Sequence, residues 1–189
     1  MPVDPNAIAT WANAVTVGRL LVSPLLFAVI PEDQGGSWFA VTLWFVLCAS
    51  DGIDGFLARR HGTTRSGAFL DPLADKVLVL GAMFTLVSRG VFGIIPVMII
   101  AVREVAISIY RVFAGAKGVS VPASPLAKAK TVSQQLAVAF ALAPPTALDA
   151  MWLWQGFLWL AVALTVISGA QYFWRAWMAS RAAGVAGAM

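Results

Sequence analysis

Residues 38–87 read WFAVTLWFVLCASDGIDGFLARRHGTTRSGAFLDPLADKVLVLGAMFTLV. One apolar run opens the stretch and another closes it. Between them lie Asp51, Asp54, Asp71 and Asp75, with Arg59, Arg60 and Arg65 in the connecting segment. Each run with its polar end approaches the roughly 20 residues that a bilayer-crossing helix needs. Neither alternates apolar with polar residues as a membrane β-barrel strand would. In lipid the backbone has to satisfy its own hydrogen bonds, so both runs read as helices. The spacing predicts two antiparallel spans, about 38–59 and 66–87, whose polar ends meet at one membrane face.

The same pattern repeats outward. Of 189 residues, 60% are hydrophobic and 12% charged, with mean hydropathy +0.82. A soluble domain carries about 25% charged residues. Further spans are expected at about 13–30, 91–113, 125–142 and 151–177, with Pro144-Pro145 closing the fifth. The expected fold is an all-α polytopic membrane protein of six transmembrane helices, a single domain over 1–189. Segment 1–12 is expected at the interface, with a short surface helix over Asn6–Trp11. Asp4 is acidic and no Lys or Arg precedes Arg19, so the start does not read as a cleavable signal. Cys48 is the single cysteine, which excludes an intramolecular disulfide, and its apolar setting points to packing.

Charge placement orients the spans. Arg59, Arg60 and Arg65 lie between the second and third, Lys117 between the fourth and fifth, and Arg175 and Arg181 after the sixth. Glu32, Asp33 and Asp149 lie on the other side, with Arg89. The positive-inside rule then places both termini and the basic loops in the cytoplasm, as in a multi-pass bacterial-type inner (plasma) membrane protein. Trp38, Trp152, Trp154, Trp174 and Trp177 fall near span ends, where interfacial anchors sit.

The acids carry the chemistry. A carboxylate in a span costs roughly 2.5–3.5 kcal/mol on insertion scales. Asp51 and Asp54 are three residues apart and Asp71 and Asp75 four, so each pair shares a helix face. Four convergent carboxylates repel, and hard divalent cations with oxygen ligands, Mg²⁺ or Mn²⁺, would cancel that repulsion. Gly52, Gly55, Ala58 and Gly67 leave room for close approach to the backbone, and Arg59 offers a guanidinium suited to phosphate. Metal, arginine and open backbone together describe a diphosphate site at the cytoplasmic ends of the second and third spans.

Asp51-Gly-Ile-Asp54-Gly55-Phe-Leu-Ala58-Arg59 followed by Gly67-Ala-Phe-Leu-Asp71-Pro-Leu-Ala-Asp75 resembles the signature of the CDP-alcohol phosphatidyltransferases, DxxDGxxAR then GxxxDxxxD. All the signature residues are present, and the gap after Arg59 is one residue shorter than the commoner spacing. The resemblance implies that Asp51, Asp54, Asp71 and Asp75 bind the metals. It implies that Asp75 also deprotonates the acceptor hydroxyl, and that Gly55, Ala58, Arg59 and Gly67 line the CDP pocket. It further implies attack on the lipid-side phosphorus of CDP-diacylglycerol with release of CMP, and a homodimer in a lipid bilayer. No nucleic-acid partner is expected.

Within that family, Val102-Arg103-Glu104-Val105 and Leu126-Ala127-Lys128-Ala129-Lys130-Thr131 resemble segments of the phosphatidylglycerophosphate synthases, as do Asn13, Thr16 and Arg19 in the first span. Arg103, Lys128 and Lys130 are the expected acceptor-phosphate residues, which suits glycerol 3-phosphate. Inositol 1-phosphate also carries a phosphomonoester, so a phosphatidylinositol-phosphate synthase is the alternative, as is cardiolipin synthase. Arg103 and Glu104 read equally as a polar pair satisfied within the bundle, and Lys128 and Lys130 as ordinary inside charges. His61, Arg60 and Arg65 read as solvated or headgroup-facing loop residues. The run Gly62–Gly67 lacks the ending of a P-loop. An ion-coupled transporter would place its acids near the midplane and show a repeat, whereas these acids cluster at one face and no repeat is present.

Overall fold

In a computed structural model the protein is a bundle of α-helices. The structure describes residues 11–61, 65–116 and 125–186, with side chains for 14–50, 73–110, 126–171 and Trp174. The helices are α1 (Trp11–Val29), α2 (Trp38–His61), α3 (Arg65–Ser88), α4 (Ile94–Ala116), α5 (Pro125–Leu142), α6 (Pro144–Ala147) and α7 (Met151–Ala186). No strand occurs among the described residues. Every expected span has a helix at its place. The surface helix expected over Asn6–Trp11 falls almost wholly outside the described residues.

Local chemistry explains the helix ends. Prolines open α5 and α6, where the first turn has no use for the missing N–H. The Pro144-Pro145 pair thus both ends α5, as expected, and starts a single helical turn that the sequence did not suggest. At the end of α3 the chain closes in a Schellman motif, with Gly90 N donating to Val87 O at 3.0 Å and Val91 N to Leu86 O at 2.9 Å. Gly90 adopts φ +72°, which a glycine reaches without steric penalty. The last helix runs to Ala186, past the expected end at 177, through an alanine-rich stretch of high helix propensity.

Packing places α1 against both α2 and α3, while α5 pairs chiefly with α7 and also meets α2 and α3. The α1–α3 approach is close: a Cβ on Gly81 would lie 2.3 Å from Phe27 Cζ. The core runs through Leu26, Trp44, Leu78, Met83, Ile100 and Leu142, each nearly or fully buried. Trp44 keeps its indole N–H satisfied at Gln135 O, 3.2 Å away. Trp154, expected as an interfacial anchor, is instead buried, tilted against Phe92 at 5.5 Å and donating to Ala147 O at 3.2 Å. Trp38, Trp152 and Trp174 are exposed.

The outer surface is apolar. Leu21, Phe39, Phe45, Ile95, Val102, Trp159 and Ile167 all lie exposed on the long helices. So much exposed apolar surface suits a lipid solvent rather than water. Among the described residues, Met151–Gln171 is long and apolar enough to cross a bilayer, and Ala14–Val29 and Trp38–Ser50 are shorter apolar segments. At one end of the bundle Arg89 pairs with Glu32 at 2.5 Å and Gln34 Nε2 donates to Arg89 O at 3.1 Å. Ser37 N donates to Leu142 O at 2.8 Å there as well. The α1–α2 loop, the α3–α4 turn and the end of α5 therefore share that end, and the acid-bearing ends of α2 and α3 lie at the opposite one.

Candidate active site

The helical backbone is continuous through both acid pairs. Asp51 and Asp54 lie on α2, and Asp71 and Asp75 on α3, with only residues 62–64 between the two helices. At 3.6 residues per turn positions 51 and 54 share one face of α2, and positions 71 and 75 one face of α3. Asp75 is half-buried, beside the fully buried Ala74. Gly55, Ala58 and Arg59 lie on α2 and Gly67 on α3. The side chains of these four residues, and of Asp51, Asp54 and Asp71, lie outside the described set.

The first helix brings polar groups to the same end. Thr16, Arg19 and Ser23 are almost completely buried at 0, 2 and 0% exposure, following a helical repeat along α1. Arg19 Nε donates to Ser50 Oγ at 3.3 Å, placing a guanidinium against the residue that precedes Asp51. Sequence reading noted Arg19 and gave it no role. The signal was available: an arginine inside an apolar span needs a compensating partner, and α1 packs on both acid-bearing helices.

A second polar cluster joins α4, α5 and α7. Glu104 Oε1 accepts from Arg103 Nη1 at 3.1 Å and from Lys130 Nζ. Arg103 Nη2 donates to Ser168 Oγ at 2.9 Å, and Ser168 Oγ to Thr165 O at 3.2 Å. Lys130 is 3% exposed. Two cations thus share one carboxylate in an almost dry setting. Lys76, next to Asp75 on α3, lies within electrostatic reach of Lys130. The structure therefore brings Arg103 and Lys130 together through Glu104, which sequence reading left unassigned, and leaves Lys128 exposed.

Between α3 and α4 lies an open, apolar groove of about 380 Å³. Leu73, Lys76, Val77, Leu80, Val105 and Ile109 line it.

The family model of the CDP-alcohol phosphatidyltransferases matches residues 9–167, which include both acid pairs and both halves of the basic cluster. The chain belongs to this family. Curated relatives agree in length as well as sequence. A CDP-diacylglycerol–glycerol-3-phosphate 3-phosphatidyltransferase from Rickettsia bellii is 32% identical over 92% of this chain and 96% of its own. One of the same name from Bacillus subtilis is 32% identical over 88% and 95%. A probable phosphatidylglycerophosphate synthase of Mycobacterium tuberculosis is 34% identical over 89% and 82%. As a CDP-alcohol phosphatidyltransferase the chain is an enzyme, and its acidic helix pair carries the whole family signature.

Proposed function

We propose that this phosphatidyltransferase moves the phosphatidyl group of CDP-diacylglycerol onto glycerol 3-phosphate, forming phosphatidylglycerophosphate and CMP. The observation that carries the choice of acceptor is the buried Arg103–Glu104–Lys130 cluster, with its two cations to one carboxylate. An acceptor with its own phosphomonoester supplies the missing negative charge; a neutral polyol does not. The names of the relatives point to the same acceptor.

Asp51, Asp54, Asp71 and Asp75 form an all-oxygen donor set of the kind that suits Mg²⁺ or Mn²⁺. When bound there, the metal supplies charge neutralisation at the diphosphate. Asp75 takes the proton of the acceptor hydroxyl as its oxygen bonds to the lipid-side phosphorus. The bond from that phosphorus to the bridging oxygen breaks, and CMP leaves with the electron pair. Arg59 holds the diphosphate by paired hydrogen bonds, and Gly55, Ala58 and Gly67 keep the CDP pocket open at the backbone. Arg103 and Lys130 hold the acceptor phosphate, and Lys128, exposed at the start of α5, draws it in electrostatically. The groove between α3 and α4 offers an acyl chain a path along α3 while the headgroup reacts.

The same reading places α1, α2, α3, α4, α5 and α7 as six spans of a bacterial-type inner membrane, with both termini and the acidic face cytoplasmic. It also takes the working form as a homodimer. The test is CMP release by purified protein with CDP-diacylglycerol and Mg²⁺, offering glycerol 3-phosphate, inositol 1-phosphate and phosphatidylglycerol in parallel. Release with glycerol 3-phosphate alone is expected. Release only with inositol 1-phosphate would make the chain a phosphatidylinositol-phosphate synthase, and release only with phosphatidylglycerol a cardiolipin synthase.

A further inference from the structure

One helical turn away from the basic cluster, two buried polar groups have no hydrogen-bond partner. Gln134 Nε2 and Thr165 Oγ1 are unpaired, in residues 3% and 0% exposed. Their level in the bundle follows from register. α5 and α7 form a helical hairpin closed by the short α6, so they run antiparallel. Lys130 on α5 and Ser168 on α7 are tied to each other through Glu104 and Arg103. Moving four residues on from Lys130 reaches Gln134, and moving three back from Ser168 reaches Thr165. Both steps go the same way along the bundle, by about 4.5–6 Å. The amide and the hydroxyl therefore share one layer, one turn beyond the cations and farther from the cytoplasmic face.

An unpartnered polar group in a dry core is rare in folded proteins and unfavourable. Two at one level, beside the Arg103–Glu104–Lys130 cluster, describe a site with donors still unused. Gln134 Nε2 can only donate, and the Thr165 hydroxyl can donate. Free donors next to cations favour an anion and disfavour a metal. A phosphomonoester has three terminal oxygens with more acceptor capacity than one guanidinium and one ammonium can fill.

We propose that Gln134 and Thr165 form the floor of the acceptor's phosphate site, donating hydrogen bonds to the phosphomonoester oxygens that Arg103 and Lys130 leave uncovered. The proposal deepens, and rests on, the reading of a phosphorylated acceptor given above. It makes both residues specificity determinants: an alcohol without the phosphate leaves them unpaired and is rejected, as sites built around hydrogen bonds reject ligands that lack the partner.

The experiment measures steady-state CMP release by the full-length enzyme carrying Gln134→Met or Thr165→Val. KM for glycerol 3-phosphate is expected to rise roughly 10–100-fold in each, the range for losing one hydrogen bond to a charged group. KM for CDP-diacylglycerol should stay within about twofold. Inorganic phosphate, tested as a competitor of glycerol 3-phosphate, should weaken by a similar factor. Thr165→Ser, which keeps the hydroxyl, should restore the KM. The thermal midpoint should hold or rise, because an apolar atom replaces an unpaired polar one. An unchanged KM for glycerol 3-phosphate with a lowered midpoint would overturn the proposal, since the two groups would then hold only structural water. If the unsubstituted enzyme releases no CMP with glycerol 3-phosphate, the acceptor reading fails first and takes this inference with it.

Discussion

The two charged regions of the molecule solve opposite problems. The ends of α2 and α3 carry four carboxylates on two helices joined by residues 62–64. The α4–α5–α7 cluster sets two cations around a single carboxylate. The acidic region gathers four like charges, whose mutual repulsion a bound cation would relieve. The basic region is mostly self-compensated, with Glu104 standing where an anionic ligand would otherwise be needed. In the proposed reaction the first would hold the metal and the diphosphate, and the second the phosphate of the acceptor.

That contrast can be broken from either side. The largest effect should come from Asp75→Asn, which removes the proposed base and a metal ligand together. Turnover should fall by at least 10²–10⁴-fold, with circular dichroism and thermal midpoint close to the parent. Near-parental CMP release would remove the base assignment. Excess EDTA should likewise bring turnover to background, and Mg²⁺ or Mn²⁺ should restore it; persistent activity in chelator would mean that the acids stabilise themselves. On the basic side, Glu104→Gln should lower stability by about 3–5 kcal/mol, the usual consequence of removing one partner from a buried pair. A thermal-melt series in detergent reads this, and an unshifted midpoint would show that the cations are compensated elsewhere. The smallest effect should be that of Lys128→Ala. An exposed charge contributes about 0.2–1 kcal/mol, so KM for glycerol 3-phosphate should rise no more than about fivefold. Equal rises in KM for both substrates would point to a general electrostatic role.

The helices that carry the acid pairs were legible in the sequence, and the basic cluster only in part. Asp51, Asp54, Asp71 and Asp75 announce themselves because their spacing is local and each pair depends only on the helix repeat. Helix placement was legible for the same reason, since long apolar runs leave little choice of backbone in lipid. Glu104 and Lys130 are 26 residues apart on different helices, and Arg103 reaches 65 residues to Ser168. Those pairings depend on how α4, α5 and α7 pack, which no local pattern encodes. Gln134 and Thr165 were invisible because a glutamine or threonine in an apolar helix is ordinary until its missing partner can be seen. Trp154 went astray because a tryptophan near a span end is also an ordinary core residue when Phe92 and the α6 turn cover it. The α6 turn was hidden behind a proline pair that reads as an ending.

The bridge through Glu104 also bears on how the chain is made. In the proposed six-span arrangement α4 would enter lipid with Arg103 and Glu104 side by side, each carrying its neutralising partner in the same turn. α5 follows with Lys130, whose counter-charge waits on a helix already inserted, and Arg103 gains Ser168 only when α7 arrives. The polar layer would therefore be completed in the order of synthesis, and truncation before Met151, which removes Ser168, should shorten the lifetime of the protein in cells, as pulse-chase labelling would show.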